Sequence, residues 1–294
     1  METSPASPSE FDPSDHPGSA AGAPAGKPDE PSNADHCAQR NGRARPWWGE
    51  HEWAPYVLPM AAFMLVGAFE PAAPSAIVLS VDPGLLQRYL GIDYQAWPIV
   101  YAAKIALVIV AMAVAWPMYR SWPWKLTRWA APCGLVGAVV WIGLCKLRVE
   151  PALYQLVGLD GWADSQRSGY NPLVELAGRP ALAQALLALR AVGLVLLVPI
   201  VEEFFLRGFL ARWVTHATWR QVPFGELSGP ALTVLTLYPV LTHPSEALAA
   251  VVWFSGVSWL MFRTRNIWDC VVAHAITNLG IGAWAVATGD WSML

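Results

Sequence analysis

Residues 195–210 read VLLVPIVEEFFLRGFL, and residues 267–284 read IWDCVVAHAITNLGIGAW. With its flanks, each run is long enough to cross a bilayer, which takes about 20 mostly apolar residues. Each also carries polar groups where hydrocarbon tolerates them least: Glu202, Glu203 and Arg207 in the first, His274 and Asn278 in the second. An ionisable group at that depth costs at least ~2.5–3.5 kcal/mol on insertion scales, so it normally faces a polar interior and carries function. The two runs point to a site built inside a bundle of membrane-spanning helices.

The composition agrees. Hydrophobic residues make up 55% of the chain and charged residues 14%, against a charged share of about 25% in soluble domains. Apolar runs at 56–79, 98–119, 129–147, 182–206, 230–242, 247–262 and 267–288 predict an all-α polytopic membrane bundle of about seven spans, six to eight because the fifth and sixth are short. Trp and Tyr crowd the borders (Trp47, Trp48, Trp53 and Tyr56, then Trp116, Tyr119, Trp122, Trp124 and Trp129), as expected of rings that settle at headgroup level.

Residues 1–45 are rich in Pro, Ser and Ala, with almost no aliphatic or aromatic side chain. Such a stretch cannot bury enough apolar surface to offset its ordering entropy, which predicts a disordered tail. It also lacks the apolar core of a cleavable signal peptide. Residues 46–180 are then expected to hold the first spans and their loops, and residues 181–294 a catalytic transmembrane core. Basic residues cluster before span one (Arg40, Arg43, Arg45), between spans two and three (Arg120, Lys125, Arg128), after span four (Arg207, Arg212, Arg220) and after span six (Arg263, Arg265). All these positions fall on one side, which the positive-inside rule makes cytoplasmic together with the N-terminus. The opposite loops, 80–97 and 150–180, carry mainly acids. A net charge of −3 gives no support for a nucleic-acid partner. Cys37, Cys133, Cys145 and Cys270 show no CxxC spacing and read as small apolar side chains rather than as disulfides or reactive thiols.

Three constellations carry polar chemistry. On a helix, Glu203 and Arg207 stack on one face with the acid first, the favoured order for an ion pair. Glu202 is turned roughly 100° away, placed to handle a proton as a general base or acid. The bland alternative is a structural ion-pair knot at the helix end. His274 and Asn278 also share a face, where an imidazole and an amide can bind an oxyanion as two directed donors or simply join two helices. His243 precedes Pro244, which disfavours helix before it, so the imidazole is expected at a break where irregular backbone lines a polar cavity. Pro199 is expected to kink span four. Glu70 and Lys104 read as a structural pair or as snorkelling side chains, and His216 and Glu246 as water-contacting residues near helix ends. HExxH, GxSxG, the P-loop and GxGxxG with a following acid are all missing from the sequence.

The order EExxxR, then a His, then HxxxN resembles the CPBP family over roughly residues 180–290. This family comprises the CAAX prenyl endopeptidases and the bacteriocin-processing or self-immunity (ABI) membrane proteins. The strings EEFFLRGFL, HPSE and RTRNIWDCVVAHAITN look closest to bacterial CAAX prenyl protease-related proteins, which are often encoded in genomes with exosortase-type sorting systems. The resemblance implies a bacterial inner-membrane endopeptidase acting on a membrane-associated protein or peptide. It implies that Glu202 and His243 activate a water, that His274 and Asn278 hold the oxyanion, and that Glu203 and Arg207 support them. One departure touches substrate fit: Pro239 stands where the family's second motif has Phe, with Tyr238 beside it. The donor set leaves two chemistries open, a zinc site on His243, His274 and Glu202 and a metal-free water with a His/Asn oxyanion hole. A non-catalytic immunity or scaffold protein that keeps the motifs for structure is the alternative from another class, and a transporter would need paired broken helices in repeated halves.

Overall fold

The computed structural model describes residues 49–71, 89–158 and 169–294, all within one compact unit, Trp48–Leu294. The expected disordered tail, residues 1–45, lies outside the described residues, as do Cys37, Trp47 and Trp48. Every regular element described is helical. We number them α1 (Ala54–Gly67), α2 (Trp97–Tyr119), α3 (Ala130–Leu147), α4 (Val149–Leu156), α5 (Pro180–Thr215), α6 (Gly229–Thr242), α7 (Ala247–Thr264) and α8 (Ile267–Thr288). Five helical stretches, those containing α2, α3, α5, α7 and α8, are long and apolar enough to cross a membrane, and α1 and α6 are shorter apolar helices. Large apolar side chains such as Ile99, Val110, Leu135 and Val139 point outward and are mostly exposed, the pattern of a lipid-facing surface. The chain is a multi-pass all-α membrane bundle.

The elements differ from the sequence expectation where charges and prolines intervene. The first span was expected over 56–79, but α1 stops at Gly67. Pro71 cannot continue a helix and biases Glu70 away from helical backbone, and residues 72–79 lie outside the described residues. Glu70 pairs with Lys104 of α2, one of the two fates foreseen for that pair. The fourth span, expected to end at Leu206, continues to Thr215 as a helix of 36 residues. At ~1.5 Å per residue it is longer than the ~30 Å hydrocarbon layer, so it tilts or projects beyond it. Charge does not end it because its arginines are satisfied within the fold. Arg207 is fully buried, and Arg212 donates to the carbonyls of Gly208, Arg220 and Val222. Neither is the loop charge that the orientation argument took it for.

Around Pro199 the long helix is irregular, with π-helical turns at Val192–Leu197 and Phe204–Leu210. Proline has no backbone N–H to give the preceding turn, and a π turn re-sets the register of the side chains that follow. Tyr56 and Tyr119, foreseen in the aromatic belt, are buried core residues. Glu246, foreseen in water, is also buried, whereas His216 is exposed and bonds Thr218. Cys133 and Cys145 are half-buried and Cys270 buried.

Two features position the site. First, α8 lies tightly against α3, where a Cβ on Gly134 would meet the Ala273 carbonyl at 2.6 Å and one on Gly137 would meet Thr277 Oγ1 at 2.7 Å. Second, α5 contributes Val201 and Phe204 to one apolar cluster, with Tyr119 and Trp268, and Leu206 and Ala211 to another, with Trp253 and Phe254. Its polar residues stand at the seam between the two. At one end of the bundle the backbone N–H of Thr127 donates to Asp269 at 2.8 Å and Ser228 contacts Thr215, which gathers the basic loops there. At the other end Lys146 pairs with Asp290, whose carboxyl is held below its usual range by hydrogen bonds from Lys146 and Ser292.

Candidate active site

Glu203 and Arg207 form the expected pair, one helical turn apart, at 2.5 Å with both side chains fully buried. Arg207 also donates to the Phe254 carbonyl at 3.1 Å and lies 3.3 Å from Ser258 Oγ, both on α7. A buried guanidinium with one carboxylate and further acceptors is held in a single geometry.

The other carboxylate oxygen of Glu203 binds His274. His274 Nδ1 lies 3.0 Å from Glu203 Oε1, and its Nε2 lies 3.6 Å from Glu202 Oε2. The imidazole of α8 thus stands between the two adjacent glutamates of α5. The carboxylate on Nδ1 fixes the proton there and leaves Nε2 to face Glu202. The edges of Trp253 and Phe254 enclose the ring. Asn278, one turn on, donates from Nδ2 to the Leu194 carbonyl at 2.9 Å. Leu194 sits in the first π-helical turn. An amide nitrogen carries two hydrogens, so one donor of Asn278 is spent on α5 and one remains.

His243 lies at the C-terminal end of α6, with φ −130° and ψ 57°, and a single 3₁₀ turn, Pro244–Glu246, separates it from α7. Its Nδ1 is 3.0 Å from the Pro239 carbonyl and 3.0 Å from Thr242 Oγ1. A carbonyl only accepts, so Nδ1 is the donor to it. Phe254 touches both imidazoles, with centroids 6.1 Å from His243 and 5.9 Å from His274, and so joins the second motif to the third. Tyr238, beside the Pro239 that replaces the family's Phe, packs on Phe205 at 5.6 Å and lies within electrostatic reach of Glu202.

Residues 184–280 match the family model described as Type II CAAX prenyl endopeptidase Rce1-like. This segment is similar to the CAAX-protease family. The match runs from α5 to α8 and contains Glu202, Glu203, Arg207, His243, His274 and Asn278. Comparison with curated proteins and with solved structures returned no match.

Several contributors to the candidate site lie outside the matched segment, and the sequence reading passed over them. Trp141 of α3 meets the His243 ring edge-on at 5.6 Å, and its buried indole N–H has no hydrogen-bond partner among the described residues. Tyr154 of α4 donates its hydroxyl to the Pro244 carbonyl at 2.6 Å, and Glu150 accepts from the backbone N–H of Leu248 at 3.2 Å, so α4 braces the turn that carries His243. Arg190, inside the matched segment, was also missed. It is buried, its Nη1 lies 2.5 Å from the Tyr170 carbonyl, and it sits over Trp97 and Trp291. The rule that flagged Arg207, a charge inside an apolar run, would have found it.

A zinc site on Glu202, His243 and His274 was one of the two chemistries left open. Among the described residues no group of three or more His, Cys, Asp or Glu side chains is placed to hold a metal ion. Each imidazole commits Nδ1 within the protein, His274 to Glu203 and His243 to its own helix, an arrangement that orients Nε2 whether or not a metal binds there.

Proposed function

We propose that the chain is an intramembrane endopeptidase that hydrolyses a peptide bond of a membrane-associated protein by direct attack of water. One observation carries the reading: His274 is fixed by Glu203 on one nitrogen and directed at Glu202 by the other. In the proposed reaction the imidazole donates from Nδ1 to Glu203 and from Nε2 toward Glu202 and the substrate.

In the proposed reaction Glu202 takes a proton from water as the oxygen adds to the peptide carbonyl. The lone pair on His243 Nε2 accepts a hydrogen bond from the same water and orients it. His274 Nε2–H and the second N–H of Asn278 receive the oxyanion, a role in which two preorganised donors act on charge that develops only in the transition state. When the intermediate collapses, the proton held by Glu202 passes to the leaving amine, and the chain returns unchanged without an acyl-enzyme. The indole N–H of Trp141, beside His243, supplies a further donor for the peptide backbone. Tyr238, in place of the family's Phe, forms the aromatic wall on the α6 side.

The basic end is the cytoplasmic one in this reading, with the N-terminus on the same side. A bacterial inner membrane and work beside an exosortase-type sorting system rest on the resemblance of EEFFLRGFL, HPSE and RTRNIWDCVVAHAITN alone.

The test is cleavage by the purified chain, reconstituted in lipid nanodiscs, of a library of membrane-anchored peptides read by mass spectrometry. We expect cleavage by the wild type and none by Glu202→Gln. If the chain keeps its cellular role when Glu202 is Gln, the non-catalytic immunity or scaffold reading takes over.

A further inference from the structure

The basic end of the bundle carries arginines in two distinct states. Arg220 pairs with Glu52, and Arg265 pairs with Glu226. Arg128 and Arg263 pair with no carboxylate among the described residues. Instead, both converge on one ring: each guanidinium carbon lies 5.6 Å from the centroid of Trp129. Arg128 comes from the loop before α3 and Arg263 from the last turn of α7, so two separate elements deliver like charges to one indole. Trp259 closes edge-on against Trp129 at 5.9 Å.

Attraction to the ring face holds each cation, but nothing described offsets the repulsion between them. An anion within reach of both would. α3 and the helix containing α7 are long and apolar enough to span a bilayer, so their ends lie at headgroup level, where Trp is enriched. Trp259 and Phe262 are exposed beside the pair, an apolar surface against which acyl chains can lie. Guanidinium groups bind phosphate oxygens with two parallel hydrogen bonds, which an ammonium group cannot do.

We propose that Arg128, Arg263 and Trp129 form a binding site for the phosphate of an anionic phospholipid. The site fixes the ends of α3 and α7, the two helices that bring Trp141 and Phe254 to the candidate active site, and it does not depend on the chain being a protease. Arg220 and Arg265 stand on the same end of the bundle and do not contribute, because each already has its carboxylate.

The test is native mass spectrometry of the full chain in detergent with phosphatidylglycerol or phosphatidylcholine as the added lipid. We expect the wild type to retain phosphatidylglycerol in preference, and Arg128→Gln/Arg263→Gln to lower that retention about tenfold with phosphatidylcholine unchanged. Arg220→Gln/Arg265→Gln should bind as the wild type does. Arg128→Lys/Arg263→Lys keeps the charge but loses the fork, and should fall between; this variant decides the matter if the glutamine pair does not fold. Excess inorganic phosphate should leave the bound lipid in place. The proposal is overturned if the Arg128/Arg263 variants keep their lipid, if the Arg220/Arg265 pair loses as much, or if inorganic phosphate displaces the lipid.

Discussion

Glu203 accepts from His274 at 3.0 Å through one carboxylate oxygen and holds Arg207 at 2.5 Å through the other. One fully buried carboxylate therefore ties the first motif to itself and to the third. Glu202, the next residue, lies on the other side of the same imidazole at 3.6 Å. In the proposed reaction adjacent residues of one type thus have separable tasks: Glu203 sets the geometry, and Glu202 meets the substrate.

That division can be measured. Glu202→Gln should lower turnover by about 10²–10⁴-fold, the usual cost of losing a general base, with little change in the melting temperature of the purified protein. Glu203→Gln should lower both turnover and melting temperature, because Arg207 is left without its counter-charge and His274 without its anchor. A Glu203→Gln protein as stable as the wild type would contradict the structural task assigned to that residue.

Arg207→Ala should be more damaging to the fold than Glu202→Gln. It leaves Glu203 buried beside no guanidinium, and breaking a buried pair costs roughly 3–5 kcal/mol. Arg207→Lys should rescue only part of this loss, since one ammonium cannot also reach the Phe254 carbonyl and Ser258 as the fork does. Denaturation of the three variants in the same detergent gives the order directly. Equal stability of Arg207→Ala and Glu202→Gln would count against the pair.

The polar motifs were legible because their partners lie one helical turn apart, so spacing alone places Glu203 by Arg207 and His274 by Asn278. The broken helix at His243 was legible for a similar reason, since Pro244 acts on its immediate neighbour. What the spacing could not give is which motif touches which. The contact of His274 with both glutamates depends on the packing of α8 beside α5 and on π-helical turns that re-set the facing of α5. The extent of α5 was misjudged because a charge inside an apolar run reads as the end of a span until its partner is known. Trp141 and Tyr154 carry no charge and lie outside the motif core, so nothing in their local sequence distinguishes them from other aromatic residues in apolar helices.

Tyr154 offers a test of how the second motif is held. Tyr154→Phe removes the hydrogen bond to the Pro244 carbonyl and keeps the ring. The expected loss of stability is small, about 0.5–1.5 kcal/mol, but His243 loses the brace on its turn. Turnover should fall with KM little changed, because the water-orienting imidazole shifts while the substrate contacts stay. A KM effect with unchanged turnover would mean that α4 shapes the peptide groove instead.

Asn278 separates the two chemistries of the histidines. If His274 and Asn278 hold an oxyanion, Asn278→Ala removes one of two donors that act only in the transition state. Turnover should then fall by about 10²–10³-fold with substrate binding little changed. The same substitution also removes the hydrogen bond to the Leu194 carbonyl, so Asn278→Asp serves as the control: it keeps the shape but puts a carboxylate where a donor is needed, and it should be at least as inactive. If His243 and His274 instead bind zinc with Glu202, Asn278 should matter little, and a strong chelator should abolish activity in the wild type. We expect the first outcome, because an amide is a poor zinc ligand and a good oxyanion donor and no group of three or more His, Cys, Asp or Glu side chains among the described residues is placed to hold a metal ion. Loss of activity on chelation, restored by one equivalent of zinc that no longer binds when either histidine is replaced, would overturn the metal-free mechanism.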